Sequence, residues 1–319
     1  MVIADSITND LDAVNRYIKK LTSHNLSAIT QISRHLINSG GKRIRPYLVI
    51  LTSRMFNVPE EIYVKIAAAI EMYHSASLLH DDVVDNARHR RGNPSANHIW
   101  GNKSSVLVGD FLFASSSSII ADAKNNDLLK LFTRVLSLMA EGELVQLKLS
   151  RDVRLSQRDY YTIIKKKTAY LISASCESGA IMGRSSGTAR LKLRQYGLLL
   201  GIAFQLIDDN IDYTSAGRLS GKDKGVDLKE GKITMPMIVA LANANRREKA
   251  VLKRALSGDN GDRFDSVYGI IEKYRGFEYT KKKAKVFAQN ALRLLDGLPQ
   301  SAELDELKKF TLAVVERKS

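Results

Sequence analysis

Six aspartates carry the strongest chemical signal in the chain. Asp81, Asp82 and Asp85 stand together, and Asp208, Asp209 and Asp212 repeat their spacing about 127 residues later. A helix advances about 100° per residue, so Asp81 and Asp85 lie one turn apart on one face, with Asp82 flanking them. Three carboxylates set after an apolar stretch (Ala76, Leu78, Leu79) repel one another unless a cation intervenes. A hard, oxygen-seeking divalent ion resolves that repulsion, and magnesium typically joins one or two carboxylates to substrate phosphates. One such cluster reads equally well as a solvated helix end. Two of them, each closing an apolar helix, are much harder to explain as surface. If the two helices face each other in a bundle, six carboxylates line one cavity suited to a diphosphate and several Mg²⁺ ions.

Cationic groups suited to a second diphosphate accompany the carboxylates. Gly40-Gly41-Lys42-Arg43-Ile44-Arg45-Pro46 sits at a loop-to-helix junction, where glycines permit close backbone approach and a helix start presents free N–H groups. Lys42 and Arg45 are three apart and reach the same side; an exposed basic turn is the alternative reading. Arg90-Arg91-Gly92 follows the first acidic cluster and sets guanidinium forks, which suit phosphate, beside it. His74 lies two turns before Asp81 and six residues from His80, so the pair lacks the i, i+4 spacing of a zinc site. Taken alone, His74 reads as a buried structural histidine. Lys167, Thr168, Gln205, Lys222 and Lys232 are weak signals individually. Lys222 and Lys232 accompany a glycine-rich stretch, Gly221–Gly231, that would suit a lid over phosphates.

Helices must position these groups. Apolar residues recur at three- and four-residue spacing, which predicts helices at about 6–22, 25–38, 44–56, 60–86, 103–124, 127–149, 157–180, 188–214, 233–256, 263–275, 278–295 and 302–317. The five prolines fall in loops or near helix starts. Without repeats, linkers or a composition break, residues 1–319 read as one all-α domain, a single large bundle around a central catalytic cavity. The hydrophobic fraction of 44% supports a sizeable core, and the lone cysteine, Cys176, rules out an intramolecular disulfide. The longest apolar runs, such as Gly197–Ala203, fall short of a membrane span, so a cytoplasmic protein is expected, with at most peripheral membrane contact. A net charge of +15 invites polyanions, yet the densest basic cluster, Lys281–Lys285, carries no aromatic residue for base stacking. Nucleic acid would also leave six clustered aspartates unexplained.

In combination these motifs resemble the trans-isoprenyl diphosphate synthase (polyprenyl synthetase) family. The segments that carry the likeness are Leu78-Leu79-His80-Asp81-Asp82-Val83-Val84-Asp85 with Arg90-Arg91-Gly92, and Phe204-Gln205-Leu206-Ile207-Asp208-Asp209-Asn210-Ile211-Asp212-Tyr213. The Gly40–Pro46 segment, Lys167-Thr168 and Asp227-Leu228-Lys229-Glu230-Gly231-Lys232 fall in the family's order, and the spacing is closest to bacterial octaprenyl-type synthases. Val226 departs from the polar or acidic residue many relatives carry, which bears on the lid's contacts.

The resemblance implies an isoprenoid synthase fold and Mg²⁺-assisted ionisation of an allylic diphosphate. The double bond of isopentenyl diphosphate would attack the resulting carbocation, and repeated cycles would make a medium or long all-trans product. Asp81, Asp85 and Asp208 would bind magnesium, up to three ions with bound diphosphate, supported by Asp82, Asp209 and Asp212. Lys42, Arg45, His74 and Arg91 would hold isopentenyl diphosphate. Arg90, Lys167, Thr168, Gln205, Lys222 and Lys232 would hold the allylic diphosphate, with Lys167 and Lys232 also acting in catalysis. A homodimer, peripheral membrane contact for product release and a ubiquinone side chain as destination are further implications. A shorter-chain, geranylgeranyl-type synthase is the alternative, and a class I terpene cyclase a more distant one.

Chain length would be set along the face above Asp81. Ala76 and Ser77 are small where short-chain relatives often place an aromatic ring, so the tunnel is expected to continue. Tyr73 lies one turn deeper, about 5.4 Å. Its ring either stops growth or turns aside to pack against a neighbour. The second is favoured, with a floor near Phe132 or Leu128.

Overall fold

A computed structural model describes residues 5–214, 225–257 and 264–317. Among them are fifteen α-helices: α1 Asp5–Thr22, α2 Ser27–Asn38, α3 Ile44–Met55, α4 Glu60–Val84, α5 Ala96–Asp122, α6 Asn126–Leu149, α7 Gln157–Ile164, α8 Tyr170–Met182, α9 Gly187–Thr214, α10 Val226–Lys229, α11 Met235–Asn243, α12 Arg246–Leu256, α13 Phe264–Lys273, α14 Gly276–Leu294 and α15 Ala302–Glu316. The all-α class read from the periodicity is borne out. The chain forms two compact units, each assembled from separated stretches. The first comprises Met1–Thr133, Ala174–Leu193 and Leu298–Leu307; the second comprises Arg134–Ser173, Arg194–Gly297 and Lys308–Ser319.

In the first unit α4 is buried nearly all round through its middle, as an apolar helix without a polar face must be. Ile66, Ala67, Ala68, Ala69 and Ile70 are each at most 1% exposed, so the alanines let neighbouring helices approach closely. Burial of each aliphatic side chain stabilises by about 1.5–3 kcal/mol. At the C-terminal end of α4, a Cβ on Gly109 of α5 would stand 2.3 Å from His80 Nε2. Glycine at this point leaves the His80 ring room to lie directly against α5.

In the second unit the core gathers Tyr160, Ile163, Ile202, Leu206, Met235, Met237, Leu252, Val267, Ala284 and Ala288 from α7, α9 and α11 to α14. Between α7 and α8 the chain takes a π-helical turn, Lys165–Ala169, rather than the continuous helix over 157–180 expected from periodicity. Gly142 and Gly201 border this turn: a Cβ on Gly142 would meet Lys166 Cβ at 2.7 Å, and one on Gly201 would meet Ala169 Cα at 2.6 Å.

Other expectations need correction. The helix expected at 233–256 is two, because Ala244 turns extended and Asn245 caps α12. The helix expected from 103 begins at Ala96, with Gly101 non-helical inside it. Arg90 lies in an unforeseen two-stranded hairpin, His89–Arg90 with Asn93–Pro94. Its turn residues Arg91 and Gly92 both have positive φ, 53° and 81°, the geometry of a tight two-residue turn. Finally, α5 is long and apolar enough by length and composition to cross a membrane, which corrects the reading that every apolar run falls short. Serines at 115–118 interrupt its apolar run without adding charge. Its inner face nevertheless packs within the first unit through Gly109, Leu112 and Ile120.

Candidate active site

The structure sorts each aspartate triplet the same way. In the first unit Asp81 and Asp85 are partly exposed, whereas Asp82 is 1% exposed and turned inward. Arg90 grips the same oxygen of Asp82 twice, Nε at 2.7 Å and Nη2 at 2.6 Å from Oδ1, while Oδ2 has no hydrogen-bond partner among the described residues. Asp82 therefore does not share the face of Asp81 and Asp85. Burial alone would lower the Arg90 pKa; the bond to Asp82, and attraction from Asp82, Asp81 and Asp85, raise it instead. The first strand of the hairpin, through Arg90, thus supplies the charge that makes a buried Asp82 tolerable.

In the second unit Asp208 and Asp212 are partly exposed and Asp209 is 3% exposed. Asp209 accepts from Tyr160 Oη at 2.5 Å and from Gln205 Nε2 at 2.8 Å, and Thr168 Oγ1 donates to Gln205 Oε1 at 2.8 Å. The chain Thr168–Gln205–Asp209–Tyr160 links the π-helical turn, α9 and α7. Burial pushes Asp209 up to about 7; its two hydrogen bonds oppose the shift, and the like charges of Asp208 and Asp212 add to it. Asp227, whose backbone N–H donates to Asp212 Oδ2 at 3.3 Å, is likewise raised by burial and then by Asp212 and Asp209. Asp208 Oδ1 is held at 2.6 Å by Arg317.

These carboxylates fit a divalent cation. Each triplet presents an outer pair one helical turn apart. Among the described residues no three His, Cys, Asp or Glu side chains converge on one point. An ion held by one such pair would complete its shell with water and phosphate oxygens.

The basic groups of the first unit also come together. Arg91 Nη1 donates to the Gly40 carbonyl and would lie 2.8 Å from a Cβ on Gly41. Arg43, in the left-handed region at φ 46°, places Nη1 2.6 Å from the buried Glu71 carboxylate. Burial lowers Arg45 to about 10, partly offset by Glu71 and reinforced by Arg91. Arg45 Nε has no partner among the described residues. His74 is held well below the usual imidazole range, by burial first and then by Arg45, Arg91, Arg90 and Arg43. His74 is therefore a neutral ring among guanidiniums. Lys42 is exposed beside them in sequence.

The remaining expected contacts are mixed. Lys167 Nζ meets Glu143 Oε2 at 2.5 Å, and Lys232 Nζ meets Glu230 Oε2 at 2.5 Å. Lys222 lies outside the described residues, as does Gly221. Tyr73 is 2% exposed; its hydroxyl pairs with Ser117 Oγ at 3.0 Å, and its ring stacks on Phe132 with centroids 5.9 Å apart and tilts against Phe113. Ala76, Leu128 and Phe132 are fully buried, and Ser77 Oγ is spent on the His74 carbonyl at 2.8 Å. Sequence reasoning missed Glu71, Tyr160 and Arg317. A lone acid inside the apolar run of α4 was a readable signal for Glu71; Tyr160 and Arg317 had none.

Comparison with known proteins identifies the family. The polyprenyl synthetase family model matches residues 26–271. Octaprenyl diphosphate synthase of Haemophilus influenzae is 33% identical over 309 residues, covering 97% of this chain and 94% of that protein. The crystal structure of a decaprenyl diphosphate synthase from Rhodobacter capsulatus superposes with a TM-score of 0.92 at 38% identity, covering 99% of this chain and 98% of that one. A polyprenyl synthase from Caulobacter crescentus, complexed with calcium and isoprenyl diphosphate, gives a TM-score of 0.94 at 36% identity, covering 98% and 96%. With the all-α isoprenoid synthase fold, the doubled aspartate motif and these matches in agreement, the chain belongs to the polyprenyl synthetase family of prenyltransferases.

Proposed function

We propose that this enzyme joins isopentenyl diphosphate to an allylic diphosphate repeatedly, making a medium- or long-chain all-trans polyprenyl diphosphate of the octaprenyl type. The observation that carries the reading is the matched sorting of the two triplets. In each, the middle aspartate is buried and anchored, by Arg90 or Tyr160, and the outer pair stays partly exposed. Such an arrangement holds the outer carboxylates in place for a cation instead of letting them swing in solvent.

In this reading Asp81 and Asp85 of the first triplet and Asp208 of the second hold Mg²⁺, Asp212 supports Asp208, and Asp82 and Asp209 each anchor their own triplet. The bound metal supplies neutralisation of the charge that develops on a departing diphosphate. Lys42, Arg45 and Arg91 hold the diphosphate of isopentenyl diphosphate, and neutral His74 offers a hydrogen bond without adding a further positive charge. Arg90, Lys167, Thr168, Gln205, Lys222 and Lys232 serve the allylic diphosphate, Lys167 and Lys232 moving from Glu143 and Glu230 to do so. The buried apolar face of α4 keeps water from the reacting carbons. The Tyr73 ring, tied to Ser117 and Phe132, supports a tail path past Ser77 and Ala76 to a floor near Phe132 or Leu128. Residues 1–319 act as one polyprenyl synthetase domain in a cytoplasmic homodimer, with peripheral membrane contact at product release and quinone side chains as destination. These last points rest on likeness to the family.

The test is an incubation with labelled isopentenyl diphosphate, a short allylic primer and Mg²⁺, with products separated by length. Products well beyond four isoprene units are expected. Arrest at four units favours a geranylgeranyl-type synthase, and a cyclic hydrocarbon or no elongation overturns the reading.

A further inference from the structure

The last described residue of the chain lies on the second aspartate triplet. Arg317, immediately after α15, donates from Nη2 to Asp208 Oδ1 at 2.6 Å. Its side chain is only 10% exposed, against 46% for Asp208, and its guanidinium carbon lies 4.7 Å from the centre of the Phe204 ring. Phe204 and Asp208 are four residues apart on α9, so ring and carboxylate form one berth along a single helix face. A guanidinium brings five N–H donors. Here Nε and Nη1 are both buried without a hydrogen-bond partner among the described residues. The berth therefore leaves hydrogen-bonding capacity unmet, and what holds Arg317 is the single charged bond to Asp208 and the ring face.

We propose that Arg317 is a positioning residue that serves as the internal counter-ion of Asp208, and that a divalent cation binds there by displacing it. The inference rests on the reading of Asp208 as a metal ligand. The contact is suited to exchange. It is made by one residue just past the end of α15, so the side chain can leave without unwinding a helix. It uses one oxygen of a carboxylate that remains half exposed, so a cation has access to the same group. While Arg317 is seated it shields Asp208 from the like charges of Asp209 and Asp212, and its positive charge opposes a second cation. For a divalent ion about 5 Å from a single positive charge in a largely aqueous, salt-screened setting, that opposition amounts to about fivefold to tenfold in affinity.

The test is titration of the full-length protein with Mn²⁺ alone, reading free Mn²⁺ by electron paramagnetic resonance, with circular dichroism as a check on folding. Arg317→Gln is expected to bind Mn²⁺ about fivefold to tenfold more tightly than the unsubstituted protein, and Arg317→Lys, which keeps the charge, within about twofold of it. Unchanged or weaker Mn²⁺ binding in folded Arg317→Gln overturns the proposal. Asp208→Asn separates the two layers of the argument. If it leaves Mn²⁺ binding unchanged, the metal reading of Asp208 fails. If it weakens binding while Arg317→Gln does not tighten it, the exchange alone fails. Should Arg317→Gln not fold, Phe204→Leu takes its place: it removes the ring that retains the guanidinium, so tighter Mn²⁺ binding supports the exchange and unchanged or weaker binding overturns it.

Discussion

Tyr160→Phe removes one oxygen atom, and the structure sets what that atom is worth. Tyr160 Oη donates to Asp209 Oδ2 at 2.5 Å, with both residues buried, at 3% exposure each. Losing a buried hydrogen bond so that its acceptor is left unsatisfied costs about 1–3 kcal/mol. Gln205 Nε2 continues to hold Oδ1 at 2.8 Å, so one of two side-chain donors is lost and Oδ2 is left buried without one. A loss near 2 kcal/mol is expected, which lowers the melting midpoint of a chain this long by roughly 4 °C. The functional cost follows from position. Asp209 is the fixed member between Asp208 and Asp212, and a loss of about 2 kcal/mol in their placement corresponds to roughly thirtyfold in kcat/KM. Calorimetry gives the first number, and steady-state rates with the allylic substrate varied at saturating isopentenyl diphosphate give the second. Adding Gln205→Leu should be non-additive, because both side chains hold the same carboxylate. A variant that melts within about 0.5 °C of the unsubstituted enzyme, with unaltered kcat/KM, would refute the anchoring role of Tyr160.

Four further outcomes are expected. Asp81→Asn and Asp208→Asn should each cut turnover by orders of magnitude at matched Mg²⁺ with folding preserved by circular dichroism; near-normal rates in both would remove the metal cluster. Lys42→Ala and Arg45→Ala should mainly raise KM for isopentenyl diphosphate, while Lys232→Ala affects the allylic substrate; equal effects on both substrates would argue against two sites. Ser77→Phe should shorten the product sharply, and Tyr73→Ala should lengthen it only if the ring is the floor, as chromatography of the labelled products will report. Glu248, held at about 2 by Lys273, then Tyr274 and the Asn245 backbone N–H, should stabilise the fold most above the ordinary carboxylate pKa, losing that contribution as pH falls from about 4.5 towards 2. Melting curves of Glu248→Gln should accordingly converge on those of the unsubstituted protein at low pH and separate at neutral pH.

The all-α class and the doubled aspartate spacing were legible in the residues because both are local properties. A period of three to four residues needs no partner elsewhere in the chain, and neither does an i, i+4 pair of carboxylates on one helix. The neighbourhood of Asp82 and Arg90 was nearly legible, since only eight positions separate them along the chain. What the spacing could not rank was the carboxylates themselves. Asp82 and Asp209 become buried anchors because Arg90 and Tyr160 reach them, and Tyr160 lies 49 residues from Asp209 along the chain. Glu71 meets Arg43 across 28 residues, Tyr73 meets Ser117 across 44, and Arg317 closes on Asp208 across 109. The π-helical turn was not legible either: Lys165–Ala169 reads as ordinary helix, and in the fold it packs closely against Gly142 and Gly201. Spacing along one helix decides which side chains share a face. Which of them keep contact with water, and so remain able to take a cation, depends on donors that only folding brings alongside.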